Sequence, residues 1–234
     1  MTNMRFLTIS KLLLILILPF ILFLIMMNFV GFDNLFYKEK FSEYGVKQNI
    51  PETDSLHQKV IDFITGKTNE LPQQFNEREK QHLWEVRKVI KLLTIALYIF
   101  IILFVILLIV SSYILKINNY VVNFVGKVLI FGGFLTVALA LALFLLINYD
   151  FTRAFESFHR LFFEKGTYAF DPAKEMIVKL YPEQLFMELG VRISKWVITA
   201  SVIIILLGAF LIFKSKSQKS KTSRIKVSEI KDFR

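Results

Sequence analysis

Four apolar runs, Leu12–Val30, Leu92–Leu115, Val128–Ile147 and Trp196–Phe213, dominate the chain, and none contains an Asp, Glu, Lys, Arg or His. They are 19, 24, 20 and 18 residues long, close to the roughly 20 residues that carry an α-helix across a bilayer. Together with a hydrophobic fraction of 55%, they predict an all-α integral membrane protein with four transmembrane helices in one membrane domain spanning 1–234. Arg5 and Lys11 precede the first run in the manner of a signal peptide. That run is longer than the roughly 7–15 residues of a signal h-region and is followed by no A-x-A site, so it is expected to stay as a span.

Charge placement predicts the orientation. The tail Lys214–Arg234 holds eight Lys/Arg, the N-terminus two and the Lys116–Lys127 connection two, against only Glu229 and Asp232, which accounts for the whole formal charge of +10. The segments 31–91 and 148–195 share the remaining 17 basic and 17 acidic residues and are balanced. Basic flanks stay inside, so both termini are expected in the cytoplasm of a cell in whose plasma membrane the protein sits. The segments 31–91 and 148–195 then form an outer cap. A Lys/Ser-rich tail directly after a span points to anionic lipid rather than to nucleic acid.

Several chemistries lack their residues. No cysteine is present, which removes thiol catalysis and disulfides. Ionisable groups inside the spans, which pumps and proton-coupled transporters use, are missing. No H-E-x-x-H, histidine i,i+4 pair, G-x-S-x-G elbow or glycine-rich phosphate loop occurs, so neither a metal nor a nucleotide cofactor is expected. Pro19 would normally kink the first span, and Gly132-Gly133 permit close helix approach in the third.

The outer segments read as helical. Ser55–Lys67 puts Leu56, Val60, Phe63 and Ile64 on one stripe with His57 beside it, expected at the surface. Asn76-Glu77-Arg78-Glu79 reads as a capping box, opening a helix that runs straight into the second span. His82 precedes Leu92 by ten residues, roughly 15 Å above the hydrocarbon at headgroup depth. The third span is expected to continue into Tyr149–Phe163, where Phe151, Phe155, Phe158 and Phe162 recur at helical spacing around His159. Asp171-Pro172 suits an N-cap followed by a first helical residue, and Tyr181-Pro182-Glu183 a corner before the fourth span. Two histidines on separate outer segments could act as base and acid on a lipid-borne ester, but nothing in their spacing brings them together. A non-catalytic cap that binds a partner or lipid stays open on these grounds, as does a metal-dependent lipid hydrolase.

The stretch from Glu79 to Val86, containing His82, and Phe158-His159-Arg160-Leu161-Phe162-Phe163 with Phe170-Asp171-Pro172 and Tyr181-Pro182-Glu183-Gln184-Leu185-Phe186 resemble the lipoprotein intramolecular transacylase (Lit) family of Gram-positive bacteria. Phe36-Tyr37 and Tyr44-Gly45-Val46 after the first span fit the same pattern, and the likeness covers nearly the whole chain. Departures from the pattern keep charge or aromaticity: Glu85 and Glu175 stand where Asp is usual, and Tyr168 where Trp is usual.

The resemblance implies four transmembrane helices under a helical extracellular cap, with catalytic His82 and His159 at the outer face. It also implies a reaction. The sn-2 acyl chain of a diacylglyceryl-cysteine lipoprotein moves onto the N-terminal α-amino group, leaving a lyso-form lipoprotein. An ester-to-amide shift is downhill and needs no cofactor, and imidazole can take the amine proton and protonate the departing oxygen near neutral pH. Arg153, Arg160 or backbone amides are candidate donors to the oxyanion. Phe151, Phe155, Phe158, Phe162 and Tyr168 are candidate walls that exclude water. The implied partners are lipidated lipoproteins and membrane lipid; the oligomeric state is not legible.

Overall fold

The computed structural model describes residues 2–164 and 166–232; side chains at 2, 118 and 218–232 lie outside it. The predicted lipid contacts of the basic tail beyond Ser217 therefore fall outside the described residues. Among those described, every regular element is a helix: α1 (Thr2–Val30), α2 (Asn34–Glu43), α3 (Val46–Asn49), α4 (Thr53–Ile64), α5 (Glu77–Leu115), α6 (Asn118–Tyr149), α7 (Phe151–Phe162), α8 (Met176–Leu180) and α9 (Glu183–Asp232). Four of them, α1, α5, α6 and α9, are long and apolar enough to cross a membrane. The 39 residues of α5 extend over about 58 Å, roughly twice a hydrocarbon core. Its polar first turns, including His82, therefore stand outside the span proper, Leu92–Leu115.

The chain divides into two compact units, one of 1–23, 98–141 and 195–234, the other of 24–97 and 142–194. In the first, α1, α6 and α9 approach closely where side chains vanish. A Cβ on Gly132 would lie 2.7 Å from Leu18 of α1, and one on Gly133 would lie 2.5 Å from Ile205 of α9. Gly126 and Gly208 face each other, each leaving its carbonyl within 3 Å of where the other's Cβ would be. Ser10 and Ser111 share a buried 2.8 Å hydrogen bond, which satisfies both hydroxyls where lipid offers no partner. The α1 helix runs unbroken through Pro19.

The second unit has a core of its own. Phe41, Phe63 and Phe75 are essentially fully buried, with Leu56 and Val60 of α4, Leu83 of α5 and Leu180 of α8 around them; each large side chain so buried contributes about 1.5–3 kcal/mol. The stripe read from the sequence is thus the face that α4 lays on protein. His57 is on that face, not at the surface: it is 3% exposed, its Nδ1 lies 2.9 Å from the Tyr181 hydroxyl, and its ring lies 4.3 Å from that of Tyr37, tilted by 34°. The stripe admits an imidazole because Tyr181 supplies a polar partner inside the core.

Two further expectations are corrected. The third span does not continue into the histidine-bearing helix. Asp150, with φ −155° and ψ 80°, ends α6 and caps α7 by accepting a hydrogen bond from the Arg153 N–H at 3.0 Å. Asp171-Pro172 opens a turn, not a helix: the Asp171 carboxylate accepts from the Ala173 N–H, and its carbonyl accepts from Lys174 and Glu175. The helix begins only at Met176.

Candidate active site

The capping box is formed as read: the Asn76 carboxamide accepts from the Glu79 N–H at 3.0 Å, and Glu79 accepts from the Asn76 N–H at 2.6 Å. This anchors the start of α5 and presents His82 on its second turn. His159 comes from α7, the helix that Asp150 starts afresh. Both are buried, His82 at 6% exposure and His159 at 9%, and their rings stack with centroids 5.9 Å apart and planes 23° from parallel.

Aromatic rings enclose the pair. Phe163 packs against both imidazoles, 4.7 Å from His82 and 5.2 Å from His159. Phe170 meets His82 edge-on at 5.4 Å. Around His159 stand Phe155 at 4.1 Å, Tyr168 at 5.4 Å and the edge of Phe158 at 5.6 Å. Of the five aromatics read from sequence, Phe155, Phe158 and Tyr168 thus reach a histidine, whereas Phe151 packs on Phe155 and Phe162 on Phe158. Phe163 and Phe170 were missed. Phe163 lies four residues after His159, just past the last turn of α7, so its spacing carried the signal; Phe170 lies in irregular chain and had none.

Arg153 and Arg160 are exposed and face carboxylates of their own helix, Asp150 at 3.4 Å and Glu156 at 3.8 Å. A different cation borders the walls: the guanidinium of Arg78 lies 5.1 Å over Phe170 and pairs with Glu175. Among the described residues, no three His, Cys, Asp or Glu side chains converge as they would around a metal ion.

The electrostatics of the pair follow from burial. Desolvation by burial, with a smaller contribution from His159, lowers the pKa of His82 to about 4. His159 is also lowered by burial, partly offset by its bond to the Phe155 carbonyl. Both rings are therefore neutral near pH 7. The Nδ1 of His159 lies 2.7 Å from the Phe155 oxygen; a carbonyl can only accept, so Nδ1 carries the proton and Nε2 keeps its lone pair. The Nδ1 of His82 is buried and has no hydrogen-bond partner among the described residues.

The fold and the site together define an all-helical membrane protein with a stacked, neutral imidazole pair among aromatic walls. A family model for the lipoprotein intramolecular transacylase Lit matches residues 12–186, and the chain belongs to that family. It is accordingly an enzyme, a lipoprotein intramolecular transacylase of the membrane, and the non-catalytic and hydrolase readings fall away. The fold is similar to that of the membrane-integral lipoprotein intramolecular transacylase Lit from Bacillus cereus, with a TM-score of 0.79 at 22% identity over 91% of this chain and 99% of that one. Two variants of the same Bacillus cereus protein, with a histidine replaced by arginine or by alanine, give TM-scores of 0.75 and 0.74 at 21% and 22% identity. They cover 92% and 91% of this chain and 95% and 96% of theirs. A sequence search of curated proteins finds no match.

Proposed function

We propose that the enzyme moves the sn-2 acyl chain of a diacylglyceryl-modified N-terminal cysteine onto the α-amino group of that residue, with His159 as base and His82 as acid. The observation that carries this reading is the stacked pair itself, two buried imidazoles brought together from separate elements with opposite demands on their nitrogens. The free Nε2 lone pair of His159 takes the proton of the attacking amine. That proton passes to His82, whose imidazolium protonates the sn-2 oxygen as the C–O bond of the tetrahedral intermediate breaks. One proton enters the pair from nitrogen and one leaves it to oxygen, so both rings end neutral.

The aromatic walls keep the ester from water and hold amine and carbonyl within reach of each other, which is where most of the rate arises in a transfer within one molecule. Arg153 and Arg160, solvent-facing and already opposite carboxylates, are weaker candidates for the oxyanion than backbone N–H groups. The charge distribution supports an outer-face site, with both termini cytoplasmic.

The test is mass spectrometry of a lipopeptide after incubation with His82→Ala, His159→Ala and the double variant. Each single change is expected to reduce turnover by roughly 10²–10⁴-fold, with the double variant little worse. Product should have unchanged total mass with one acyl chain moved to nitrogen. Full activity in either single variant would sink the two-histidine mechanism, and exchange of isotope-labelled chains between substrate molecules would sink the intramolecular step.

A further inference from the structure

Two of the rings against the histidines, Tyr168 and Phe170, belong to the irregular stretch between α7 and α8, which has no internal helix to hold it. What fixes it is a set of carboxylates. Thr167 donates its hydroxyl to Glu85 at 2.8 Å. Glu175 accepts from Arg78 and from the Asp171 N–H. The third attachment is different in kind. Glu79 is 1% exposed, and while one of its oxygens closes the capping box at Asn76, the other accepts from the N–H of Ile177 at 2.7 Å. Ile177 is the second residue of α8, where a helix leaves a backbone donor unsatisfied. One side chain therefore caps two helices at once, the one that carries His82 and the one that ends the wall.

A capping box on α5 alone does not require this. It works at the surface with Glu or Gln, and a buried carboxylate is costly unless each oxygen is matched by donors. Glu79 forms no ion pair among the described residues, its neighbour Arg78 being directed to Glu175. Its stabilisation comes from two backbone N–H groups, those of Asn76 and Ile177, from two separate segments of the chain. Three residues further along α5 stands His82, and seven residues before Ile177 stands the Phe170 ring that meets it.

Resting on the two-histidine reading, we propose that Glu79 is a positioning residue for the acyl transfer, holding His82 in register with the Tyr168–Phe170 wall. Glutamine in its place would offer one accepting oxygen and turn an amide N–H₂ toward the second backbone N–H, releasing one of the two helices. The side chain touches no reacting atom and acts only through where His82 stands.

The experiment is a double-mutant cycle on the full chain in lipid, with a synthetic diacylglyceryl lipopeptide as substrate: Glu79→Gln, His82→Ala, and both. Misplacement of a reacting group by about an ångström costs on the order of 10²-fold, so Glu79→Gln should lower kcat by roughly 10–100-fold with KM nearly unchanged. In the His82→Ala background the same change should cost less than about twofold, the scatter of uncoupled changes. Wild-type kcat in Glu79→Gln, or an equal loss with and without His82, would overturn the proposal. If Glu79→Gln does not fold, Glu175→Gln loosens the same stretch from its outer side, and its loss of kcat must likewise vanish when His82 is absent; no loss, or a loss that persists, overturns the proposal. Full activity of His82→Ala alone would instead refute the underlying two-histidine reading.

Discussion

At the scale of single residues, burial decides the pH behaviour. An exposed histidine titrates near 6.5, but His82 is lowered to about 4 and His159 is lowered too. Under the proposed two-histidine mechanism both rings must be neutral, so their protonation should cut kcat/KM only below pH 6.5. The substrate's amine, with an ordinary pKa of roughly 7.7–8.0, should give a slope of one in log kcat/KM between about pH 7 and 6.5; a slope of two already there would contradict the buried, neutral pair. His57 supplies a second pH effect, on stability. Its folded pKa is lowered to about 4 by burial, with Asp54 opposing, so between that value and 6.5 the unfolded chain binds the extra proton. Stability from this group is thus full above pH 6.5 and is lost as pH falls toward 4, by at most about 3 kcal/mol. His57→Phe, which keeps a ring between Tyr37 and Phe41, should flatten the decline in thermal midpoint between pH 6.5 and 4.5, while an unaltered decline would assign it to other groups. Neither burial could be read from sequence, because a histidine beside an apolar stripe becomes interior only through a partner such as Tyr181, 124 residues away.

At the scale of elements, hydrophobic length and caps were legible, and chain breaks inside helical pattern were not. The four spans and the start of α5 at the capping box follow from local residues alone. Asp150 was overlooked because the phenylalanine spacing runs across it without a change of period, although an Asp that can cap the next helix is a stop signal in its own right. Asp171-Pro172 carried a helix-start pattern, yet the Asp carboxylate bonded two residues on and made a turn, the alternative such side chains always offer. The Gly132-Gly133 approach held because its cause is local: no side chain means no spacing between helices. The same cause yields a test at the other glycine crossing. Gly208→Leu would drive its side chain into the Gly126 carbonyl, Ile130 and Leu129, and should lower the thermal midpoint and yield of folded protein sharply. Gly166→Ala, at an open position but with φ +98°, should cost about 1 kcal/mol or somewhat more through backbone strain alone.

At the scale of the whole molecule, charge is the readable quantity. All of the net charge lies on the segments predicted to be cytoplasmic, so a cysteine introduced at exposed Ser55 should react with an impermeant maleimide in intact cells, and one at Ser217 only after permeabilisation. The reverse pattern would invert the orientation. What composition could not reveal is that His159, the proposed base, sits on a short helix whose outer edge is greasy. Leu161 is 76% exposed and Phe158 46% exposed, beside Arg153, Glu156 and Arg160, which gives α7 the two-sided character of helices that rest in the lipid interface. Solubilisation in a short-chain detergent replaces that interface with a small curved surface of changing shape. The helix holding His159 would then lose its bed while the spans stay intact, so a preparation judged sound by its melting curve can still be a poor catalyst, and turnover belongs in a bilayer disc.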